Sequence, residues 1–248
     1  MNTGTAETAP VLVEWHDDVA LVTMHRPAKR NALSRAMAEQ LTAAMRSCQE
    51  AGAIVLTGAD PAFCAGMDLA EADKEGYITP SWIVHTFYES VVPLVAAVNG
   101  PAITAGLEIA LAADFILASE RAVFADTHGL VGAVPGGGIT VHLAERTTTG
   151  FARQMSLTGM QVDSATALRT GLANEVYPHA ELLPAALGVG RRIAAMPRAA
   201  SRAVKRMYDE VDGLRMNAGL ERERELFAAF TATSAADFAG FHRRIRSK

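Results

Sequence analysis

Short apolar segments, each followed by a turn and then a helical pattern, recur along the chain and restrict the fold more than any other feature. The four candidate strands are Val19–Met24, 54–57, Leu94–Val98 and 115–118. Strands that alternate with helices are typical of α/β proteins with largely parallel sheets, in which binding loops gather at the strand ends. We therefore predict an α/β fold whose functional residues lie in the turns.

The length and composition predict one domain with a large buried core. The chain has 248 residues, half of them hydrophobic, and no low-complexity linker divides it. A single hydrophobic core can serve a chain of about this size. We predict a flexible tail over residues 1–10, a core over 11–196 and a helical, more charged subregion over 197–248.

Helical patterns occur at several places outside the candidate strands. Residues 31–51 carry apolar side chains on one face and end at Gly52. Residues 151–157 and Ser164–Thr170 each precede a glycine that would end a helix. The last subregion is strongly helical, with amphipathic segments over 198–211 and 219–232.

Charge and hydropathy exclude several classes of function. Twenty-three Lys and Arg against 27 Asp and Glu give a net charge of -4, which offers no basic surface for nucleic acid or for an anionic membrane. No segment approaches the roughly 18 apolar residues of a membrane span, and the first residues lack a basic signal region. We expect a cytoplasmic protein whose two cysteines, Cys48 and Cys64, are reduced and bind no metal, because neither lies in a CxxC motif.

The most informative stretch for function is NGPAITAGLEIALAAD, residues 99–114, which we predict to be a helix that opens at a glycine-bearing turn. Its single carboxylate is Glu108, and the residues three and four positions away offer no cation. The apolar flanks favour burial, which raises the pKa of a carboxyl group toward the range useful for proton transfer. A second small-residue turn, PAFCAGMDL at 61–69, follows another apolar strand. Two such turns can each direct a backbone N–H at one oxygen, and two N–H donors beside an acid suggest enolate chemistry.

Four motifs in order, RPAKRNAL, AFCAGMDL, VNGPAITAGLEIALAAD and VGAVPGGGIT, resemble those of the enoyl-CoA hydratase/isomerase, or crotonase, superfamily. A later segment, LTGMQVDSATALRTGLANEV, is similar to the same family. The resemblance covers roughly residues 11–241. It implies a spiral of ββα units with a C-terminal helical region that mediates trimerisation, as a homotrimer or a dimer of trimers. It further implies acyl-CoA thioester substrates, in which coenzyme A is part of the substrate rather than a separate cofactor, and no metal.

The resemblance also implies an oxyanion hole formed by the N–H groups of Met67 and Ala105. Position 105 is usually glycine in the family. Because this position begins a helix, where ordinary helical dihedrals suffice, we expect Ala105 to keep the donor.

The second catalytic position departs from the family pattern. In the hydratases the resemblance implies two glutamates that hold one water; here the first is Glu108 and the second is replaced by His128. Histidine is a competent acid or base, so addition of water to a 2-enoyl-CoA remains the favoured hypothesis. An isomerase and a non-catalytic acyl-CoA-binding protein are the alternatives. If its carboxylate points inward, Asp126 partly compensates for the missing second glutamate. A surface or helix-capping role for Asp126 is the plain alternative.

The resemblance places the CoA moiety along two segments. Ala65, Asp68 and Leu69 are expected on the adenine side, with Ala32 and Leu33 near the pantetheine and adenine. Lys29 and Arg30 are candidates for the CoA phosphates, or are solvated surface charges. Phe241 and Arg244 resemble a tail that reaches a neighbouring subunit's nucleotide. The aromatic-rich segment with Tyr77, Trp82, Ile83, Phe87 and Tyr88 either lines the acyl site or packs under a surface helix.

Overall fold

In the computed structural model the described backbone covers residues 9–72 and 82–246. Side chains at 72, 82, 211–217 and 230–246 also lie outside the description. Almost all of the predicted tail, residues 1–10, therefore falls outside the described residues.

The described backbone contains two β-sheets and a set of helices. The strands are β1 Val11–His16, β2 Val19–Met24, β3 Ala53–Gly58, β4 Leu94–Val98, β5 Ala102–Ile103, β6 Phe115–Ser119, β7 Val123–Ala125, β8 Val162–Asp163 and β9 Glu175–Tyr177. The helices are α1 Arg35–Ser47, α2 Leu69–Ala72, α3 Trp82–Tyr88, α4 Ala105–Leu111, α5 Ile139–Arg146, α6 Thr149–Thr158, α7 Ser164–Thr170, α8 His179–Ala194 and α9 Arg198–Arg246.

The larger sheet has the strand order β1-β2-β3-β4-β6-β9. Every neighbouring pair from β2 onward is parallel, and only β1 pairs antiparallel. Strand β3 is buried along its whole length, as expected for a central parallel strand covered on both faces. The four strands predicted from apolar runs are confirmed, and so is the α/β class.

Successive side chains along the strands point to opposite faces of the larger sheet, so the core has two parts. Val19, Leu21 and Val55 point to the face that α8 covers. Ala20, Val22 and Ile54 point to the opposite face, which belongs to the main core with α1 and α4. The smaller sheet, in the order β5-β7-β8, lies beside this main core and joins the two segments that carry the predicted catalytic residues.

Two helix predictions need correction at their boundaries. The helix expected over 31–51 is α1 and begins only at Arg35, because the Ser34 hydroxyl caps it by accepting the Met37 N–H at 3.2 Å. The helix expected over 99–114 is reduced to α4, since Ala102–Ile103 form β5. The amphipathic segments expected over 198–211 and 219–232 both lie in one continuous helix, α9, because glycine weakens a helix by only about 1 kcal/mol and does not by itself end one.

Two other helix predictions hold. The 151–157 segment lies within α6, whose N-cap Thr148 accepts the Phe151 N–H. Ser164–Thr170 is α7 with the predicted bounds. Both helices end at a glycine in the left-handed conformation, Gly159 and Gly171.

Candidate active site

Two turns, 64–67 and 103–106, lie in direct contact. The Ile103 N–H donates to the carbonyl of Cys64, and the Cys64 N–H donates to that of Pro101, both at 3.0 Å. A Cβ atom on Gly106 would lie 2.2 Å from the Cys64 carbonyl oxygen, and one on Gly66 would lie 2.3 Å from Thr104 Oγ1. The turns approach this closely only because glycine occupies both positions.

Each turn carries one of the two N–H groups predicted for an oxyanion hole. Leu33 donates its N–H to the Gly66 carbonyl and accepts from the Asp68 N–H, so the intervening Met67 N–H points to the other side of the chain. Ala105 is the first residue of α4, where N–H groups have no partner within the helix. Within residues 9–72 and 82–246, neither N–H donates to a protein carbonyl.

The unusual backbone conformation in this region falls on Thr104. Ala105 begins α4 with no left-handed dihedral, as the sequence predicts, whereas Thr104 has φ 48° and ψ -110°. Such a conformation costs a β-branched residue about 1–3 kcal/mol. It is held by the hydrogen bond from the Thr104 N–H to the Ala125 carbonyl at 2.9 Å. This strain is not predictable from the sequence, because a threonine carries no signal of a positive φ.

Glu108 lies on α4 with only 5% of its surface exposed. Its Oε1 accepts the Gly137 N–H at 2.8 Å and, at the longer distance of 3.4 Å, the Gly136 N–H. Burial raises the pKa of the carboxyl group, against the opposing effects of the His128 charge and the Gly137 hydrogen bond. The predicted burial and raised pKa are both confirmed, and the 136–137 peptides are partners that the sequence did not reveal.

His128 forms a pair with Asp126 near Glu108. Asp126 is 1% exposed, and its Oδ1 lies 2.7 Å from His128 Nδ1 and accepts the His128 N–H at 3.2 Å. Burial favours the neutral imidazole, but the Asp126 hydrogen bond and the Glu108 charge outweigh it and raise the pKa of His128. Of the two alternatives for Asp126, the inward orientation is the one observed. The contact at Nδ1 leaves Nε2 available for a substrate proton.

Comparison with known proteins assigns the chain to a family. A family model described as enoyl-CoA hydratase/isomerase matches residues 14–243. The chain belongs to the crotonase superfamily. A probable enoyl-CoA hydratase of Rhizobium meliloti (strain 1021) is 34% identical, over 90% of each chain. The 2,3-dehydroadipyl-CoA hydratase of Escherichia coli (strain K12) is 33% identical, over 90% of this chain and 91% of the relative.

Solved crotonase structures share the fold. An enoyl-CoA hydratase from Mycobacterium tuberculosis H37Rv is 38% identical and superposes with a TM-score of 0.84, covering 90% of this chain and 99% of the other. An enoyl-CoA hydratase/isomerase from Pseudoalteromonas atlantica T6c is 27% identical with a TM-score of 0.88, covering 96% and 97%. The predicted family and its α/β crotonase fold with C-terminal helices are confirmed, and the structure shows that the strands form two sheets.

The residues predicted to bind CoA in this crotonase lie on two adjoining segments. The Ala65 N–H donates to the Arg30 carbonyl at 3.0 Å, which brings residues 29–33 beside 65–69. Lys29, Arg30 and Leu69 are exposed, and Ala32 and Ala65 are half-buried. Phe241 and Arg244 lie on the backbone of α9, but their side chains fall outside the described residues.

Two of these residues have structural roles for their side chains. Leu33 is 1% exposed and belongs to the core. Asp68 is 8% exposed, pairs with Arg26 Nη2 at 2.9 Å and accepts the Ala70 N–H. Both side chains are therefore engaged within the protein itself. Arg26, a residue of the RPAKRNAL motif for which the sequence predicted no role, holds both segments because it also donates to the Ala32 carbonyl.

The aromatic-rich segment divides between the core and the site. Ile83 and Phe87 are each 1% exposed, so for them the packing alternative is correct. The Tyr88 hydroxyl donates to the Gly137 carbonyl at 3.2 Å, and its ring stacks on His142 with the centroids 4.6 Å apart. Tyr77 and the side chain of Trp82 lie outside the described residues.

One further buried acidic residue of the region was not predicted from the sequence. Glu223 of α9 is 8% exposed, and its carboxylate accepts the N–H groups of Gly138 and Thr140 at 2.7 and 2.9 Å. It lies in the charged run ERERE, where alternating charges suggest a solvated helix face. Its helical spacing from Leu220 and Phe227 is the signal that could have marked it as buried.

The described residues contain two cysteines, Cys48 and Cys64. Both cysteines are free, and burial raises the pKa of the Cys64 thiol to about 12, which makes it unreactive. Over 9–72 and 82–246, no group of three or more His, Cys, Asp or Glu side chains is arranged to hold a metal ion. In the same residues, no helix has the length and hydropathy needed to cross a membrane.

Proposed function

We propose that this crotonase is an enzyme that adds water across the double bond of a 2-enoyl-CoA thioester. One observation carries the proposal: the buried Glu108 carboxylate and His128, itself held by Asp126, follow the paired strands β5 and β7, and the charge of each shifts the pKa of the other. Two groups whose proton affinities are shifted by each other are suited to deliver and remove protons in one reaction. The relatives named as enoyl-CoA hydratases support the same reaction class.

In the proposed mechanism, the N–H groups of Met67 and Ala105 bind the thioester oxygen. Addition of water at Cβ makes an enolate whose negative charge rests largely on that oxygen. Each preorganised donor at about 2.7–3.1 Å contributes about 3 kcal/mol to its stabilisation. Backbone donors do not titrate, so their contribution is independent of pH.

The two side chains divide the proton transfers. The Glu108 carboxylate takes a proton from the water molecule as the water oxygen bonds to Cβ, and the imidazolium of His128 delivers a proton from Nε2 to Cα. The products are a 3-hydroxyacyl-CoA, protonated Glu108 and neutral His128. Transfer of one proton from Glu108 to His128 restores the starting state.

We further propose how the substrate and the subunits are held. The CoA moiety lies along Lys29, Arg30, Ala32, Leu33, Ala65, Asp68 and Leu69, with Phe241 and Arg244 reaching a neighbouring subunit's nucleotide. The assembly is a homotrimer or dimer of trimers formed through residues 197–248, where exposed apolar side chains such as Val204, Met207 and Tyr208 are available for burial. The proposed setting is fatty acid oxidation in the cytoplasm.

An assay of crotonyl-CoA and longer 2-enoyl-CoAs tests the reaction. Hydration is monitored as the loss of absorbance of the conjugated thioester. The wild type is expected to turn over at least one chain length. Glu108→Gln keeps the shape of the side chain but cannot accept the proton, so kcat should fall by about 100-fold or more. Isothermal calorimetry with a saturated acyl-CoA should give similar affinities for both proteins.

The same panel separates the alternatives. Conversion of a 3-enoyl-CoA without hydration of any 2-enoyl-CoA would assign an isomerase instead. Acyl-CoA binding without turnover of any substrate would indicate a binding protein. A large gain in hydration on His128→Glu would indicate that the native histidine serves other chemistry.

A further inference from the structure

One face of the C-terminal helix α9 covers the loop that follows Pro135. A Cβ atom on Gly136 would lie 2.9 Å from the Phe227 ring, and one on Gly138 would lie 3.2 Å from Leu220 Cδ2. Glu223 lies between these two residues on the same helical face and is buried, whereas its neighbours at 222 and 224 are exposed. The helix therefore directs a single carboxylate at this loop.

The Glu223 carboxylate binds the start of α5 with both oxygens. Oε1 accepts the Gly138 N–H at 2.7 Å, and Oε2 accepts the Thr140 N–H at 2.9 Å together with the Thr140 hydroxyl. These N–H groups have no partner within α5, and Gly138 takes φ 99°, a conformation that favours glycine. Three donors on one carboxylate fix the position of this peptide run.

The neighbouring N–H groups of the same run hold Glu108. Gly137 and Gly136 donate to Glu108 Oε1, one and two residues before the first N–H that Glu223 binds. A Cβ atom on Gly137 would lie 2.7 Å from Glu108 Cδ, so the loop backbone packs directly on the carboxyl group. The segment 136–140 is thus held between two carboxylates, one from α4 and one from α9.

We propose that Glu223 is a positioning residue for Glu108: by fixing residues 138–140 it holds the Gly136 and Gly137 N–H groups that orient the Glu108 carboxylate. The role of Glu108 in this proposal rests on the proposed function. The C-terminal helix then belongs to the active site, because it contributes through one side chain to the geometry of the proton-transfer group.

The charged groups around Glu108 define what a change at Glu223 should do. The His128 charge lowers the pKa of Glu108, and the Glu223 charge raises it. The charges of both carboxylates also raise the pKa of the nearby Tyr88 hydroxyl. Glu223→Asp keeps the charge and shortens the reach by one methylene. The Glu223→Asp variant therefore weakens the hydrogen bonds to Gly138 and Thr140 without removing the negative charge.

Two readouts test the proposal on the full chain. With Glu223→Asp we expect kcat for 2-enoyl-CoA hydration to fall by about 10- to 100-fold, with KM within about twofold, because the reacting group is misplaced rather than removed. Weaker donation from Gly136 and Gly137 should also raise the pKa of Glu108, moving the acid limb of kcat to higher pH. Carbon-13 NMR of labelled glutamate, with Glu108 assigned from Glu108→Gln, measures that pKa without any substrate.

Matched variants keep the result decisive. Glu221→Asp makes the same change at an exposed position of α9 and should behave as the wild type. Thr140→Val removes only the hydroxyl donor to Glu223, so it should shift the Glu108 titration in the same direction by less, and it serves if Glu223→Asp fails to fold. An unchanged Glu108 titration in both folded variants would overturn the proposal. A wild type that hydrates no enoyl-CoA would overturn the proposed function, and the NMR titration would still decide the role of Glu223.

Discussion

At the scale of single residues, the candidate site depends on the burial of charge. Glu108, Asp126 and Glu223 are three acidic side chains that are each less than 10% exposed. Each carboxylate has a different hydrogen-bond partner. Glu108 accepts loop N–H groups, Asp126 pairs with a histidine, and Glu223 accepts N–H groups at the start of α5. Hydrogen bonds of this kind offset the cost of burying a charged carboxylate.

Replacing Asp126 tests the histidine pair. In Asp126→Asn the negative charge that raises the pKa of His128 is lost, so that pKa falls. Protonated His128 is then available only at lower pH, and the alkaline limb of kcat should move to lower pH. We expect kcat to fall by about tenfold or more, since the aspartate also selects the imidazole orientation. A pH profile identical to that of the wild type would contradict the pairing.

Replacing Thr104 tests the strained turn. Thr104→Gly removes strain of about 1–3 kcal/mol but adds about 0.5–1 kcal/mol of chain entropy to the unfolded state. We expect a net gain of about 1 kcal/mol, seen as a rise in Tm of about 2–4 °C. Thr104→Ala keeps a Cβ in the same conformation and should give no gain. Equal Tm values for the glycine and alanine variants would show that the turn is unstrained.

At the scale of elements, the close approach of the turns 64–67 and 103–106 is the feature that sets the positions of both candidate oxyanion donors. Gly106→Ala would place a methyl group 2.2 Å from the Cys64 carbonyl oxygen, and backbone cannot yield as a side chain can. Such overpacking costs about 1–3 kcal/mol. The variant should lose both stability and turnover, measured by thermal unfolding and by the hydration assay.

Gly188→Ala is the matched control for this prediction. Gly188 lies inside α8, and an added Cβ meets nothing within 4 Å. Alanine is favoured over glycine in a helix interior by about 1 kcal/mol, so this variant should be slightly more stable and fully active. If both glycine variants behaved alike, the tight contact between the turns would not be supported.

The sequence predicted the strands better than the helix boundaries, for physical reasons. Val19–Met24 and Leu94–Val98 are almost entirely apolar because both sheet faces are covered, and such runs are visible in a sequence. The start of α1 depends instead on the Ser34 cap, and the 99–114 segment divides because β5 pairs with β7 from elsewhere in the chain. The burial of Glu108 was predictable from its apolar flanks. Its hydrogen-bond partners Gly136 and Gly137 were not, because they are 28 and 29 residues away in the sequence.

At the scale of the whole molecule, α9 links the core to the candidate site. Near its start, Arg198 pairs with both oxygens of Asp18 at 2.8 and 2.9 Å, and Lys205 pairs with Asp114 at 2.8 Å. Farther along, Glu223 meets the loop that holds Glu108. These contacts join the C-terminal subregion both to the core and to the loop that holds Glu108.

The pH dependence of kcat for 2-enoyl-CoA hydration, measured for the wild type and for His128→Gln, tests the central claim most directly. The wild type should give a bell-shaped profile, with an acid limb from protonation of Glu108 and an alkaline limb from deprotonation of His128. In His128→Gln the alkaline limb should disappear and kcat should fall by about 100-fold or more. The acid limb should move to higher pH, because the positive charge that lowers the pKa of Glu108 is gone. A variant that keeps the wild-type rate and both limbs would contradict the account.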